Sequence, residues 1–534
     1  MEKNLRWFEN TVFYEIYVPS FCDGNGDGLG DLPGVISRIE YLGKMGVGAI
    51  WLTPFYTSPL VDNGYDVSDY FSVDERYGTM ADFDRLLSAA HEAGIRVIVD
   101  MVLNHTSTQH EWFIKSCENQ EKYRDYYIWR KEIPNNWESF FDGGAWEYEE
   151  RRGMYYYHAF AKEQACLNWS NPEILRECKE ILRFWLEKGV DGFRLDVINF
   201  LKTDKEAFFQ NNPEKDGAQV HVYDKNQKGV REKIAALSAY VHSYPDTFLL
   251  GEIGDDDLQT IQSYIGEPLL DTAFCFNLGS MEKWDEAYLL KQVLCMEEAG
   301  LNPTLFFSSH DMRRHFSRLC GENMEMAELL ALFLLTAKGV PFLYQGEELP
   351  LADVRLADSS DLKDAQGRYA YEKMLSAGAG EEEAFLYAKE RARDYARALI
   401  DWRHWEYPKQ QPKAQPKAQP LGCDSDCTLR CLYGKLLKLR REYKALRMGE
   451  YGEITLSGHR FYYERSCGQE RIAVTMDFSL KGWEIFQKER GISRKERGIS
   501  RKEREMEKAE KEKGILLVIK NESGRIIGLV EHLV

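Results

Sequence analysis

Hydrophobic and polar positions along this chain follow two alternating rhythms. Short apolar runs recur at FYEIYV (13–18), AIWLTP (49–54), RVIVDMV (96–102) and GFRLDV (192–197). They continue at TFLLGE (247–252), LDTAFCF (270–276), TLFFSS (304–309) and VPFLYQG (340–346). Their length and their β-branched and aromatic content predict eight strands. Between them, apolar residues return every three or four positions. Thr79 and Asp82 form a capping-box pattern ahead of Phe83, Leu86, Leu87 and Ala90. Asn171 and Pro172 supply a cap and a first helical position, and Ile174, Leu175, Cys178, Ile181, Leu182, Trp185 and Leu186 follow on one stripe. Eight strands alternating with amphipathic helices predict an α/β fold, a parallel (β/α)8 TIM barrel, whose active site lies at the carboxyl ends of the strands.

Two stretches fall outside that rhythm. Residues 104–170, after the third strand, are too long for a strand-to-helix loop, and their aromatic clusters RDYYIWR, NNWESFF and MYYYHAF predict a lid subdomain over the barrel mouth. Beyond 445, segments such as RFYYER, RIAVTMDF and ILLVIK alternate with period two and predict a terminal antiparallel β-sandwich reaching 534. The barrel then comprises 1–103 and 171–444. QPKAQPKAQP (411–420) reads as an extended linker, and the tandem ERGISRK repeat (489–502) as part of a solvated charged insertion near 486–513.

Composition narrows the function classes. A formal charge of −18 over 534 residues excludes nucleic acid or an anionic membrane as the main partner. No eighteen apolar residues run together and the amino terminus has no signal-peptide pattern, so a cytoplasmic protein is expected. Eleven cysteines without a disulfide-scaffold spacing fit a reducing compartment. The state of association is expected to be a monomer or a small homo-oligomer.

Candidate chemistry sits at the strand ends. Arg194 and Asp196, two apart in a strand, share a face, where the cation favours an ionised carboxylate suited to nucleophilic attack. Glu252 ends an apolar run with no cation beside it in sequence, which suits a proton donor. Asp311 follows His310 at the end of the seventh strand, and His105 ends the third. Adjacent parallel strands lie about 4.8 Å apart, and retaining glycoside hydrolysis needs two carboxyls roughly 5 Å apart. Acids at the ends of strands four and five meet that requirement. In DGNGDGLGD (23–31), oxygen donors at Asp23, Asn25, Asp27, the Leu29 carbonyl and Asp31 follow the order of a calcium loop. The closing Glu of an EF-hand is replaced by Gly34, so a structural Ca2+ site of another kind is expected.

Over residues 5 to 350 the chain resembles the α-amylase superfamily of glycoside hydrolases, in its oligo-1,6-glucosidase and α-glucosidase branch. The resemblance rests on DMVLNH (100–105), GFRLDVINF (192–200), the GE of LLGEIG (249–254) and SSHD (308–311). It implies Asp196 as nucleophile, Glu252 as proton donor and Asp311 as transition-state stabiliser, with His105, Arg194 and His310 around the first sugar. It further implies Tyr65 as stacking platform, Asp62 on the non-reducing-end hydroxyls, Phe160 as a second aromatic wall, Arg397 as the arginine paired with Asp62, and the 23–31 loop as the branch's calcium site. No catalytic cofactor is implied. Val197, next to the nucleophile, matches branch members that prefer α-1,6 bonds. SSHDMRR and QACLNW depart from the branch at the pocket's edges.

The expected activity is a retaining exo-acting α-glucosidase that cleaves α-1,6, and in second place α-1,4, bonds of short oligosaccharides. The same site would also serve glucosyl transfer, sucrose isomerisation or trehalose-6-phosphate hydrolysis. The non-enzyme alternative is an inactive sugar-binding or transporter-associated barrel.

Overall fold

The computed structural model describes residues 6–405, 428–479, 482–487, 519–522 and 525–527. The proline repeat at 411–420 and the tandem repeat at 489–502 lie outside them. Eight parallel strands build the barrel: β1 (Phe13–Ile16), β2 (Ala49–Leu52), β3 (Arg96–Met101), β4 (Gly192–Leu195), β5 (Phe248–Gly251), β6 (Thr272–Ala273), β7 (Thr304–Leu305) and β8 (Val340–Tyr344). Each matches one of the apolar runs. Backbone pairing runs from β6 through β5, β4, β3, β2, β1 and β8 to β7. The remaining seam, β6 to β7, is bridged by a side chain. The Thr304 hydroxyl donates to the Ala273 carbonyl at 3.2 Å and accepts from the Cys275 N–H at 3.0 Å.

Phe13, Ala49, Trp51, Ile98, Phe248, Leu250, Phe274, Phe306, Val340 and Phe342 fill the cylinder as one buried cluster. The residues facing the other way meet the helical ring, consistent with strands buried on both sides. Gly192 is required where β4 passes β5, because a Cβ there would sit 2.1 Å from the Phe248 carbonyl oxygen.

The helices of the ring include α1 (Leu32–Met45), α2 (Met80–Glu92), α3 (Pro172–Lys188), α4 (Val230–Val241), α5 (Glu286–Glu298) and α6 (Met324–Thr336). The caps read from sequence are formed: Asp82 N donates to the Thr79 hydroxyl, and Asn171 accepts from Glu173 N. After β8 the chain makes a helical hairpin, α7 (Ala365–Ser376) and α8 (Glu381–Arg391), before α9 (Thr428–Glu442) packs against α6 and α1. The sequence reading did not separate this hairpin from the barrel. It reaches the lid through Lys373 and Asp142 at 2.6 Å, and Arg368 donates to the Val61 carbonyl at 2.6 Å.

Between β3 and α3, strands Trp129–Arg130, Met154–Tyr157 and Trp146–Glu149 form a small antiparallel sheet, and His105–Ser107 pairs with Gln164–Cys166. Strands β9 (Glu450–Ser457), β10 (Arg460–Cys467), β11 (Glu470–Asp477), β12 (Gly482–Gln487), β13 (Ile519–Glu522) and β14 (Arg525–Ile527) form an antiparallel meander. Among the described residues this terminal domain is one sheet, and the layer opposite it is helical rather than the second sheet of a sandwich. Phe461 and Tyr463 of β10 pack on Phe333 of α6, and Arg465 donates to the Thr336 carbonyl at 2.8 Å. The alternation in β10 buries only one face, so one helical layer suffices.

Candidate active site

Register brings the charged residues together. Arg194 in β4 lies level with Asp100 in β3 and Leu250 in β5. Asp196 N donates to the Met101 carbonyl and Glu252 N to the Leu195 carbonyl, so both acids follow directly on paired strands. The Arg194 guanidinium is buried and serves three carboxylates. Its Nη1 donates to Asp100 Oδ1 at 2.8 Å and to Asp196 Oδ1 at 2.7 Å, and its Nη2 to Glu252 Oε2 at 2.6 Å. The expectation that Glu252 lacks a neighbouring cation is therefore corrected. Strand alternation places Arg194 beside Asp196, and the register of β5 on β4 sets Glu252 level with Asp196, within reach of the same guanidinium.

Burial pushes the Asp196 carboxyl well above its ordinary range, and Glu252, Asp100 and Asp311 push the same way against the pull of Arg194. Arg194 thus pulls Asp196 toward ionisation, as the sequence predicts, but burial outweighs it. Val197 turns the chain sharply after Asp196, with φ +36°, and its N–H donates to Glu252 Oε2 at 3.1 Å. A β-branched residue at positive φ is strained, and here the strained backbone orients Glu252.

A chain of polar contacts lies across the barrel. The Tyr65 hydroxyl donates to Asp100 Oδ2 at 2.9 Å, which leaves its oxygen to accept from His310 Nε2 at 2.7 Å. His310 Nδ1 meets Glu15 Oε1 at 2.5 Å, and its Nε2 lies 3.2 Å from Asp311 Oδ2. The Tyr65 and His310 rings lie 5.4 Å apart with 5° between their planes. His105, pushed down to about 4 by burial, is a neutral ring against Gln164 and 5.7 Å from Phe160.

The pocket's far wall comes from the segment after the hairpin. Arg393 Nη2 donates to Asp62 Oδ1 at 2.6 Å, its Nη1 to Asp311 Oδ1 at 3.0 Å and its Nε to Asp364 Oδ1 at 2.7 Å. Gln164 Nε2 holds the other Asp62 oxygen at 3.1 Å. Arg397 pairs instead with Asp311 at 3.1 Å and Asp364 at 3.3 Å, and its Nε donates to the His310 carbonyl. The arginine paired with Asp62 is thus Arg393, not Arg397. A 3-10 turn, Asp394–Ala396, separates the two, so they reach the network from different sides. Burial alone would raise Asp311, but His310, Arg393 and Arg397 outweigh it and hold its carboxyl well below the ordinary range.

Asp62, Tyr65, His105, Phe160, Asp196, Val197, Glu252 and Asp311 line one pocket with Phe141, Gln164 and Arg393, about 410 Å³ counted to its open mouth. Arg194 and His310 lie immediately behind its walls. Arg393, Gln164, Glu15 and Asp364 were missed in the sequence reading. The only signal was RARDYAR, with three arginines, Arg391, Arg393 and Arg397, and nothing to choose among them. The 23–31 loop lies apart from the pocket. Asp23 Oδ2 accepts from Gly28 N at 2.8 Å, Asp27 Oδ1 from Leu29 N at 2.8 Å, and Asp31 Oδ1 caps α1 from Gly34 N. None of the three carboxylates has a lysine or arginine partner among the described residues.

The α-amylase catalytic-domain family matches residues 15–449. The chain belongs to the α-amylase family. Within this family it is 34% identical over 514 residues to oligo-1,6-glucosidase of Bacillus cereus, covering 90% of this chain and 92% of that one. It is 34% identical over 507 residues to trehalose-6-phosphate hydrolase of Bacillus subtilis, covering 88% and 90%. The solved trehalose-6-phosphate hydrolase of Bacillus licheniformis superposes with a TM-score of 0.77 at 33% identity, over 89% of this chain and 91% of that one. A mutant isomaltulose synthase of Erwinia rhapontici gives 0.79 at 31%, over 89% and 91%. This α-amylase-family chain is a glycoside hydrolase, a glucosidase with a TIM barrel. No helix among the described residues is long and apolar enough to cross a membrane.

Proposed function

We propose that this chain is a retaining exo-acting α-glucosidase that releases glucose from the non-reducing ends of short α-1,6-linked oligosaccharides, with α-1,4 bonds as lesser substrates. The observation that carries this reading is the Asp196–Glu252 pair on one guanidinium at the floor of a pocket whose far end is sealed by Asp62, Arg393 and Gln164. A pocket closed beyond one sugar admits chain ends and excludes internal bonds. The oligo-1,6-glucosidase relatives agree with it.

In this reading Asp196 attacks the anomeric carbon while Glu252 gives its proton to the departing oxygen, leaving a glucosyl ester on Asp196. Glu252, now ionised, takes a proton from water, which attacks the same carbon and frees Asp196. Ionised Asp311 accepts hydrogen bonds from sugar hydroxyls, Asp62 grips the terminal ones, and Tyr65 offers its ring to the apolar face. The pocket lining carries four acids and one arginine already bound to three of the molecule's carboxylates, which favours a neutral sugar over a phosphorylated one. Incubation with isomaltose, maltose, sucrose and trehalose 6-phosphate, followed by chromatography, tests this. Glucose released fastest from isomaltose supports the reading; isomaltulose from sucrose, or glycosidic hydrolysis confined to trehalose 6-phosphate, overturns it.

The 23–31 loop is proposed to hold a structural Ca2+. Its oxygen-only donor set supports this, as does the repulsion that Asp31 feels: burial raises its carboxyl, the Gly34 and Gly24 N–H groups lower it, and Asp23 and Asp27 add to the rise. A cation there would relieve that repulsion. A cytoplasmic location is proposed on the eight free cysteines among the described residues; Cys431, which is disulfide-bonded, is the exception among them.

A further inference from the structure

The catalytic pocket is not the largest opening bounded by described residues. On the outer flank of the lid, where it meets the start of α3, a cleft of about 1090 Å³ counted the same way is lined by Trp129, Arg130, Arg152, Lys205 and Phe208, with Asn168, Ser170 and Asn171 among its polar groups. Asp125 is its one acid and pairs with Arg124 at 3.5 Å.

Its two arginines are held unusually. Arg152 lies over the Trp129 ring at 4.4 Å and donates through Nη1 to Ser116. Arg130 lies 5.2 Å from the Phe208 ring and donates through Nη1 to the Trp129 carbonyl at 2.9 Å. Neither guanidinium, nor Lys205, has a carboxylate partner among the described residues. Arg130 Nε is buried without an acceptor. Burial lowers both arginines from their ordinary range; for Arg130 nothing offsets it, and for Arg152 the pull of Asp125 is too weak to do so. In a chain of net charge −18, packing two stacked, unpaired guanidiniums and an ammonium around one opening makes a local site of the opposite sign.

We propose that this cleft binds a phosphate group, free or borne by a monosaccharide, at a site separate from the catalytic pocket. Arg130 and Arg152 supply charge-assisted donors to the phosphate oxygens. Asn168, Asn171 and Ser170 line the remaining volume, which has room for a sugar ring, with both amides donating to the Asp125 carbonyl and the serine hydroxyl to Asn168. The stacking fixes both guanidiniums in advance, so little side-chain freedom is lost on binding.

Calorimetry on the full chain, with the catalytic pocket saturated by 1-deoxynojirimycin, tests this with three ligands: inorganic phosphate, glucose 6-phosphate and glucose. Binding by the two phosphates and not by glucose is expected. Arg130→Gln and Arg152→Gln should each weaken phosphate binding about tenfold or more, while hydrolysis of a neutral glucoside without added anion stays unchanged. Tighter binding of glucose 6-phosphate than of phosphate would assign the volume to the sugar; equal binding would assign the site to free phosphate. No heat with either phosphate overturns the proposal, as does equal binding by the double variant. Arg152→Lys separates charge from packing: retained binding supports the site, and loss with an intact melting profile means that the fork of the guanidinium is required.

Discussion

The guanidinium of Arg194 lies 2.6 Å from the carboxylate of Glu252, the acid proposed to protonate the leaving group. The same side chain holds Asp196 and Asp100, so one buried cation sets both the spacing and the charge of the reacting pair. Removing it leaves three carboxylates facing one another without compensation. Arg194→Gln is expected to lower kcat by about 10²–10³-fold and to destabilise the fold by about 3–5 kcal/mol. Steady-state kinetics and urea unfolding check this; wild-type stability would show that the acids do not depend on the cation.

The pairing of Asp62 with Arg393 rather than Arg397 gives a second expectation. A double-mutant cycle of Asp62→Asn with Arg393→Gln, scored on kcat/KM, should show a coupling of about 1.5 kcal/mol or more. The corresponding cycle with Arg397→Gln should couple much less. Equal coupling in both cycles would mean that the arginines exchange places in solution.

Val197 lines the pocket beside Asp196, the proposed nucleophile. Threonine keeps its branched shape and its backbone preference, so Val197→Thr changes polarity with little change in geometry. The ratio of isomaltose to maltose hydrolysis is expected to fall about tenfold. An unchanged ratio would remove this position from linkage selection.

Four histidines are buried in neutral form. Burial pushes His105, His110 and His158 down to about 4 and His315 down to about 3. The unfolded chain protonates them near their ordinary value of about 6.5, so it binds more protons than the fold below that pH. Their contribution to stability is complete above about pH 6.5 and is lost as pH falls toward 4. Glu347, raised to about 8, and Asp66, raised to about 6, are also shifted by burial but act in the opposite sense, because the fold keeps protons that the unfolded chain releases. Urea midpoints measured from pH 7 to 4.5 should decline; a flat profile would contradict neutral burial of the histidines.

All eight barrel strands were legible because each is an apolar run too short for a helix and bounded by turn residues. The acids and Arg194 were legible because strand ends and period-two alternation determine where they point. The partner of Asp62 was not. It comes from 331 residues away in sequence, through a helical hairpin that the rhythm of strands does not mark. Choosing between Arg393 and Arg397 depends on a single 3-10 turn, a detail that side-chain pattern does not encode. The bond from Arg194 to Glu252, 58 residues apart in the chain, depends on the register between two strands and not on neighbours in sequence. The helical layer under the terminal sheet escaped for a related reason, since alternation shows that one face is buried but not what covers it.

The central claim is that Asp196 forms a bond to the sugar while Glu252 protonates the leaving oxygen from the other side of the same pocket. Proton NMR during the first minutes of isomaltose hydrolysis reads this directly, before the anomers of glucose equilibrate. The account predicts that α-glucose appears first, from two successive inversions at Asp196. β-Glucose as the first product would mean that water attacks in a single step, and the assignment of Asp196 as nucleophile would be wrong.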